Sequence, residues 1–148
     1  MKVHEFQARD LLTSFGLPVP SARVVTSAHE ADDAYHTVTE AASTPGNPVK
    51  LAVVKAQVHA GGRGKAGFVK LVESAKDARE AAEFMLTNRM VSPQTPPEGL
   101  PVTRLLVAAG VDIASEFYLA ITTDRDTRRN ILIASAEGGV EIEEVAAK

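Results

Sequence analysis

Four glycines fall within the seven residues 61–67, and the stretch around them, KAQVHAGGRGKAGFVK (55–70), carries four Lys or Arg side chains and no carboxylate. It lies between two apolar runs, LAVVK (51–55) and FVKLV (68–72), each of strand length. Strand, glycine loop, strand is a restrictive order. A dinucleotide-binding fingerprint, whose G-x-G-x-x-G pattern Gly62, Gly64 and Gly67 satisfy, needs a helix directly after the glycines so that its N-terminus meets a pyrophosphate. Here a strand comes first. A Walker A loop needs Gly-Lys followed by Ser or Thr, but Gly64-Lys65 is followed by Ala66, and His59 stands where the loop's first glycine belongs. What remains is a hairpin that folds over a polyphosphate and offers it backbone N–H groups, with glycine letting the phosphate approach closely. Protein kinases use this device together with H-R-D and D-F-G motifs, and neither motif occurs here. A mobile hairpin with solubilising cations would also explain the glycines. It does not explain Lys55, which closes an apolar strand where an unpaired ammonium is rarely buried. Its natural partner is a phosphate.

The charge distribution points the same way. The net charge is −3, yet no acidic residue falls between Glu40 and Glu73, while Lys50, Lys55, Arg63, Lys65 and Lys70 do. Such a local field favours an anionic ligand, although a solvated basic face would explain the charges alone. There are no cysteines, which excludes thiolate metal sites, cysteine nucleophiles and disulfides. No apolar run approaches the ~18 residues needed to span a bilayer, and MKVHEFQARD has neither the apolar core of a signal peptide nor the acid-poor character of a transit peptide. The expectation is a cytoplasmic protein with no membrane or nucleic-acid partner.

The periodicities around the loop predict a mixed α+β chain. A helix is expected over His4–Phe15, with Phe6, Leu11, Leu12 and Phe15 near one face and Gly16 and Pro18 stopping it. A short strand (21–27) precedes a helix capped by Ser27 with Glu30 and carrying Ala31, Ala34, Tyr35, Val38 and Ala42 on one stripe. The run 49–58, apolar on both faces, reads as a central strand. Ser74 caps a third helix reaching about Met90, with Ala78, Ala81, Ala82, Met85 and Leu86 inward. A proline loop (92–101) leads to strands at 102–110, 115–123 and 130–136, the last two forming a hairpin across DRDTRR (124–129). VEIEEVAAK (140–148) reads as the opening of a helix without a partner, so the chain is expected to be cut rather than finished.

Three blocks, VHEFQARDLLTSFGLPVP (3–20), VVKAQVHAGGRGKAG (53–67) and DIASEFYLAITTDRDTRRNILIASAEGGVEIEEVA (112–146), together resemble the N-terminal ATP-grasp region of the β subunit of succinate–CoA ligase. The resemblance implies an ATP-grasp fold in which two lobes hold a nucleotide between them. This chain, residues 1–148, would form a partial ATP-grasp domain: the N-terminal lobe and part of the nucleotide-binding lobe, incomplete at the C-terminus. It implies a ligase that makes succinyl-CoA from succinate, CoA and ATP, or GTP, in the tricarboxylic acid cycle. It also implies an α-subunit partner, in a heterodimer or heterotetramer, whose histidine carries the phosphoryl group. By the same resemblance Lys55 contacts the nucleotide phosphates, Gly62, Arg63 and Gly64 form the loop over them, Val111 touches the base at a hinge, and Glu116 contacts the nucleotide. His59 belongs to the loop signature; no histidine here is assigned the phosphoryl-carrying role. The family's Mg²⁺ ligands, an asparagine and an aspartate, come after the last residue of this chain, so no catalytic residue or metal ligand is assigned here. Exposed apolar surface on the unfinished lobe is expected, as is weak nucleotide binding without turnover. The sequence departs from the family at Ala108, where the family carries a glutamate near adenine; this puts the choice between ATP and GTP in doubt but not the phosphate site. A sibling ligase such as malate–CoA ligase, and a stand-alone nucleotide-binding or subunit-interaction module, stay open.

Overall fold

The computed structural model describes residues 2–138. The chain divides into two compact units, Met1–Val111 and Asp112–Lys148. In chain order the first unit contains α1 (Glu5–Ser14), β1 (Ala22–Val25), α2 (Ala28–Ala42), β2 (Ala52–Ala56), β3 (Val69–Val72), α3 (Ala75–Thr87), β4 (Arg89–Met90), β5 (Leu100–Pro101) and β6 (Leu105–Ala109). One four-stranded sheet runs β1-β6-β2-β3. β1 and β2 each pair antiparallel with β6, so they run parallel to one another across the α2 connection. β3 and β6 flank β2 in the same way, joined through α3. The result is two interlocked split β–α–β units. The mixed α+β expectation holds, and the apolar run closing at Lys55 is a central strand.

One face of the sheet carries the core. Ala31, Ala34, Tyr35 and Val38 of α2 and Ala78, Ala82 and Met85 of α3 meet Ala52, Val54 and Ala56 of β2 and Leu105, Val107 and Ala109 of β6. These are the expected inward stripes; Ala42, Ala81 and Leu86 pack at their margins. Ser27 caps α2 by accepting the Glu30 N–H at 3.2 Å. The Glu30 carboxylate returns one residue further than a simple capping box requires, accepting the Thr26 N–H at 2.6 Å. Ser74 caps α3 through the Asp77 N–H at 3.1 Å. α3 stops at Thr87, three residues before Met90, because the Asn88 side chain donates to the Phe84 carbonyl at 2.8 Å and the chain turns into β4. β4, where the third helix was expected to end, pairs with β5 at the far end of the expected proline loop.

α1 forms where its spacing predicts a helix, but its apolar stripe stays outside the core. None of its residues is buried, and Leu11 and Phe15 are 55% and 81% exposed. Its apolar stripe does not dock on the core. The helix is held through its N-terminal turns instead: the Phe6 N–H donates to Gln57 Oε1 at 3.2 Å, and Arg9 Nη2 donates to the Pro20 carbonyl at 2.5 Å.

The second unit is an antiparallel hairpin of β7 (Tyr118–Asp124) and β8 (Arg129–Ser135). Asp124 shapes its turn by accepting the Asp126 N–H at 2.9 Å and the Thr127 hydroxyl at 2.5 Å. β7 starts three residues later than predicted, since Ser115–Phe117 precede the ladder. Phe117, Leu119, Ile121 and Leu132 are exposed, as expected of an apolar hairpin with one partner strand. Gly138 donates its N–H to the Glu116 carbonyl at 3.2 Å, and a Cβ at Gly138 would stand 2.5 Å from the Glu116 carbonyl carbon. That close approach explains a glycine in the EGG motif. The helix expected over 140–148 lies outside the described residues.

Candidate functional site

The pleat of β2 sorts its side chains. Ala52, Val54 and Ala56 enter the core, so Val53 and Lys55 point to the opposite face. Directly paired residues of antiparallel strands share a face. Lys55 therefore stands beside Leu106, and Val53 beside Ala108. Leu106 and Ala108 are almost fully buried on this second face.

The chain leaves β2 at Gln57, whose buried amide ties the loop to α1, and folds back to β3 through a compact turn. The Ala66 N–H donates to the Gly62 carbonyl at 3.0 Å, the Gly67 N–H to Gly64 at 3.1 Å and the Phe68 N–H to Arg63 at 2.8 Å. Gly62, Arg63 and Gly64 thus supply the carbonyls that close the turn. Gly62 has φ 76°, and a Cβ there would lie 3.2 Å from Ser92 Cβ. Gly64 has neither constraint: a Cβ there would meet nothing within 4 Å. Gly62 is thus a glycine for the fold, while Gly64 is one that the fold leaves unexplained.

Lys55 and Arg63, eight positions apart, come together on a carboxylate that sequence spacing did not reveal. Lys55 Nζ donates to Glu5 Oε1 at 3.0 Å, and Arg63 Nη1 forms an ion pair with Glu5 Oε2 at 3.0 Å. Arg63 Nη1 also donates to the Ala56 carbonyl at 2.8 Å. All three side chains are about a quarter exposed, Lys55 and Arg63 27% and Glu5 23%. Burial alone would raise the Glu5 carboxyl, but Lys55 and Arg63 outweigh it and hold the group below the ordinary glutamate range. Glu5 is therefore ionised at neutral pH. The phosphate that the sequence suggested as partner of Lys55 is matched here by an internal carboxylate from α1. The only local clue was Glu5 in the HEFQ block.

His59 stacks on His4 with ring centroids 3.9 Å apart, and His4 stacks on Phe6 at 5.8 Å. His59 thus shapes the loop through ring contact. Burial, then the charges of His59 and Arg104, lower His4 below the ordinary histidine value, which leaves it neutral at pH 7. Val111 follows β6 and is exposed. It lies five residues beyond Leu106, the cross-strand neighbour of Lys55, or ~16 Å of extended chain. Glu116 is an exposed residue of the second unit, two positions before β7. Among the described residues no group of three or more His, Asp or Glu side chains is arranged to hold a metal ion, and no helix is long and apolar enough to cross a membrane.

The profile of the ATP-grasp domain matches residues 2–148. The chain is 49% identical over 148 residues to the β subunit of succinate–CoA ligase [ADP-forming] of Geobacter sulfurreducens, covering 100% of this chain and 36% of that protein. The protein of the same name from Trichlorobacter lovleyi is 51% identical over 148 residues, with the same coverage. That of Chlorobium limicola is 50% identical over 146 residues. The chain spans about a third of the length of these curated relatives.

Proposed function

The chain belongs to the ATP-grasp domain family, and from that membership we propose that it is the nucleotide-phosphate-binding segment of a succinate–CoA ligase β subunit. The observation that carries the proposal is the meeting of Lys55 and Arg63 beside the glycine turn, in a chain about half identical, from end to end, to proteins of that name.

Phosphoryl transfer asks a protein mainly for charge neutralisation and positioning. Lys55 and Arg63 supply the charge. The backbone amides of Gly62, Arg63 and Gly64 would supply directional donors, with Gly64 leaving room for a phosphate oxygen. Val111, beyond the far end of β6, would meet the base, and Ala108, on the Lys55 face between them, would lie along the nucleoside. Glu116 of the second unit would accept from the nucleotide. The nucleotide is ATP or GTP. Mg²⁺ enters this reading only as companion of the triphosphate, with its ligands outside the described residues. The reaction joins succinate to CoA while ATP becomes ADP and phosphate, in the cytoplasm, with an α subunit as partner.

A segment exchange tests this. The matching residues of the Geobacter sulfurreducens β subunit are replaced by this chain, the product is purified with its α subunit, and succinyl-CoA formation is measured. Succinate- and ATP-dependent turnover that Lys55→Ala abolishes is the expected result. An assembled exchange protein with no such turnover would refute the assignment.

A further inference from the structure

The phosphate-loop motif contains cations and glycines but no carboxylate, yet two of its cations, Lys55 and Arg63, meet on one. We propose, building on the phosphate-site reading above, that Glu5 is a positioning residue of that site: its two carboxylate oxygens hold Lys55 and Arg63 side by side so that their remaining N–H donors face a polyphosphate.

Geometry supports this in four steps. Oε1 accepts a hydrogen bond from Lys55 and Oε2 pairs by charge with Arg63 without a directed hydrogen bond, both at 3.0 Å, so a single side chain sets the spacing between two charges from different elements. Donors are left over: an ammonium has three and a guanidinium five, while Glu5 and the Ala56 carbonyl engage only Lys55 Nζ and Arg63 Nη1. Glu5 is itself anchored. It opens α1, and the next N–H, that of Phe6, is fixed at 3.2 Å by Gln57, which follows Lys55 by two positions on the same strand exit. A closed circuit Glu5–Lys55–Gln57–Phe6 thus ties the helix to the loop. Last, one negative charge against two positive ones leaves a net positive site. Without the carboxylate, two partly buried cations would face each other unscreened, a costly arrangement. Arg63 would then swing into solvent and the pre-set geometry would be lost.

The opposite role is chemically conceivable: a carboxylate that competes with phosphate for the same cations. The experiment separates the two. Inorganic tripolyphosphate, which needs only the phosphate loop, is titrated by calorimetry into the wild-type chain and into Lys55→Ala, Glu5→Gln and Glu5→Asp, each checked by circular dichroism. Expected are loss of binding in Lys55→Ala, about tenfold weakening in Glu5→Gln, and recovery of at least about threefold in Glu5→Asp, in line with the strength of charge-assisted hydrogen bonds. A purely structural role would not be rescued by restoring charge on a shorter side chain. Unchanged or tighter binding in Glu5→Gln, with Lys55→Ala still deficient, overturns the role of Glu5 and leaves the phosphate site standing. Binding that ignores Lys55→Ala, or none in the wild type, overturns both. If Glu5→Gln does not fold, Gln57→Leu replaces it. That variant releases the Phe6 amide but keeps all three charges; weaker binding supports the circuit and unchanged binding overturns it.

Discussion

Alanine at Gly62 and alanine at Gly64 test whether the two central glycines of the loop serve different masters. At Gly62 the backbone stands at φ 76°. A Cβ in the left-handed region costs about 1–2 kcal/mol, and its 3.2 Å approach to Ser92 Cβ is tighter than ordinary contact. The lost freedom of the unfolded chain returns about 0.4–1 kcal/mol. The balance is a destabilisation of about 1 kcal/mol, or a urea midpoint lower by about 0.5 M for a slope near 2 kcal/mol/M. At Gly64 the backbone is not left-handed and the space is open, so only the unfolded-state effect remains and stability should rise by about 0.4–1 kcal/mol. Binding should run the other way: Gly64→Ala sets a methyl group where a phosphate oxygen would approach and weakens ATP in calorimetry despite the gain in stability. Urea unfolding of both variants, with ATP titrations alongside, decides it. Equal loss of stability in both, or full ATP affinity in Gly64→Ala, would refute the division of labour.

Tyr35→Phe removes a hydroxyl placed 2.6 Å from the Lys50 carbonyl and 2.5 Å from the Glu73 carbonyl; leaving these acceptors without it should cost about 1–2 kcal/mol in urea unfolding. Ala108→Glu sets a carboxylate on the Lys55 face at a nearly fully buried position, and should lower stability without ligand while favouring ATP over GTP in competition titrations; an equal effect on both nucleotides removes Ala108 from base recognition. Glu5 has a folded pKa below its ordinary value, so its stabilisation is complete above that ordinary value and is lost as pH falls through the lowered one. Glu30, lowered first by the Thr26 N–H, and Asp124, lowered first by the Thr127 hydroxyl, titrate in the same direction. The test is therefore the difference between wild type and Glu5→Gln in acid unfolding, with a shallower loss expected in the variant.

What the sequence made legible follows from where local chemistry is decisive. The α2 and α3 stripes, the Ser27 and Ser74 caps and the β7–β8 turn are set within a few residues, and each formed as its pattern predicted. The β4–β5 pairing was hidden because two-residue strands carry no period and Pro101 argues against a ladder position. α1 formed where its spacing predicted, but how it is held was not legible. Its leucines and phenylalanines follow helical spacing, but the free energy that docks it comes from polar groups at its first turns, which periodicity cannot see. The candidate site divides along the same line. Lys55, Gly62, Arg63 and Gly64 lie within ten residues and declared themselves by composition. Glu5 lies 50 positions from Lys55, and only the fold brings it there. A loop read as uniformly positive thus has a carboxylate at its centre, and that changes what its charges can do. Two cations free in solvent would attract any anion. Two cations spaced by one anchored carboxylate favour a ligand that presents several oxygens at matching spacing, as a polyphosphate does. Selectivity of this kind should appear as a steeper loss of affinity from tripolyphosphate to monophosphate in the wild type than in Glu5→Gln.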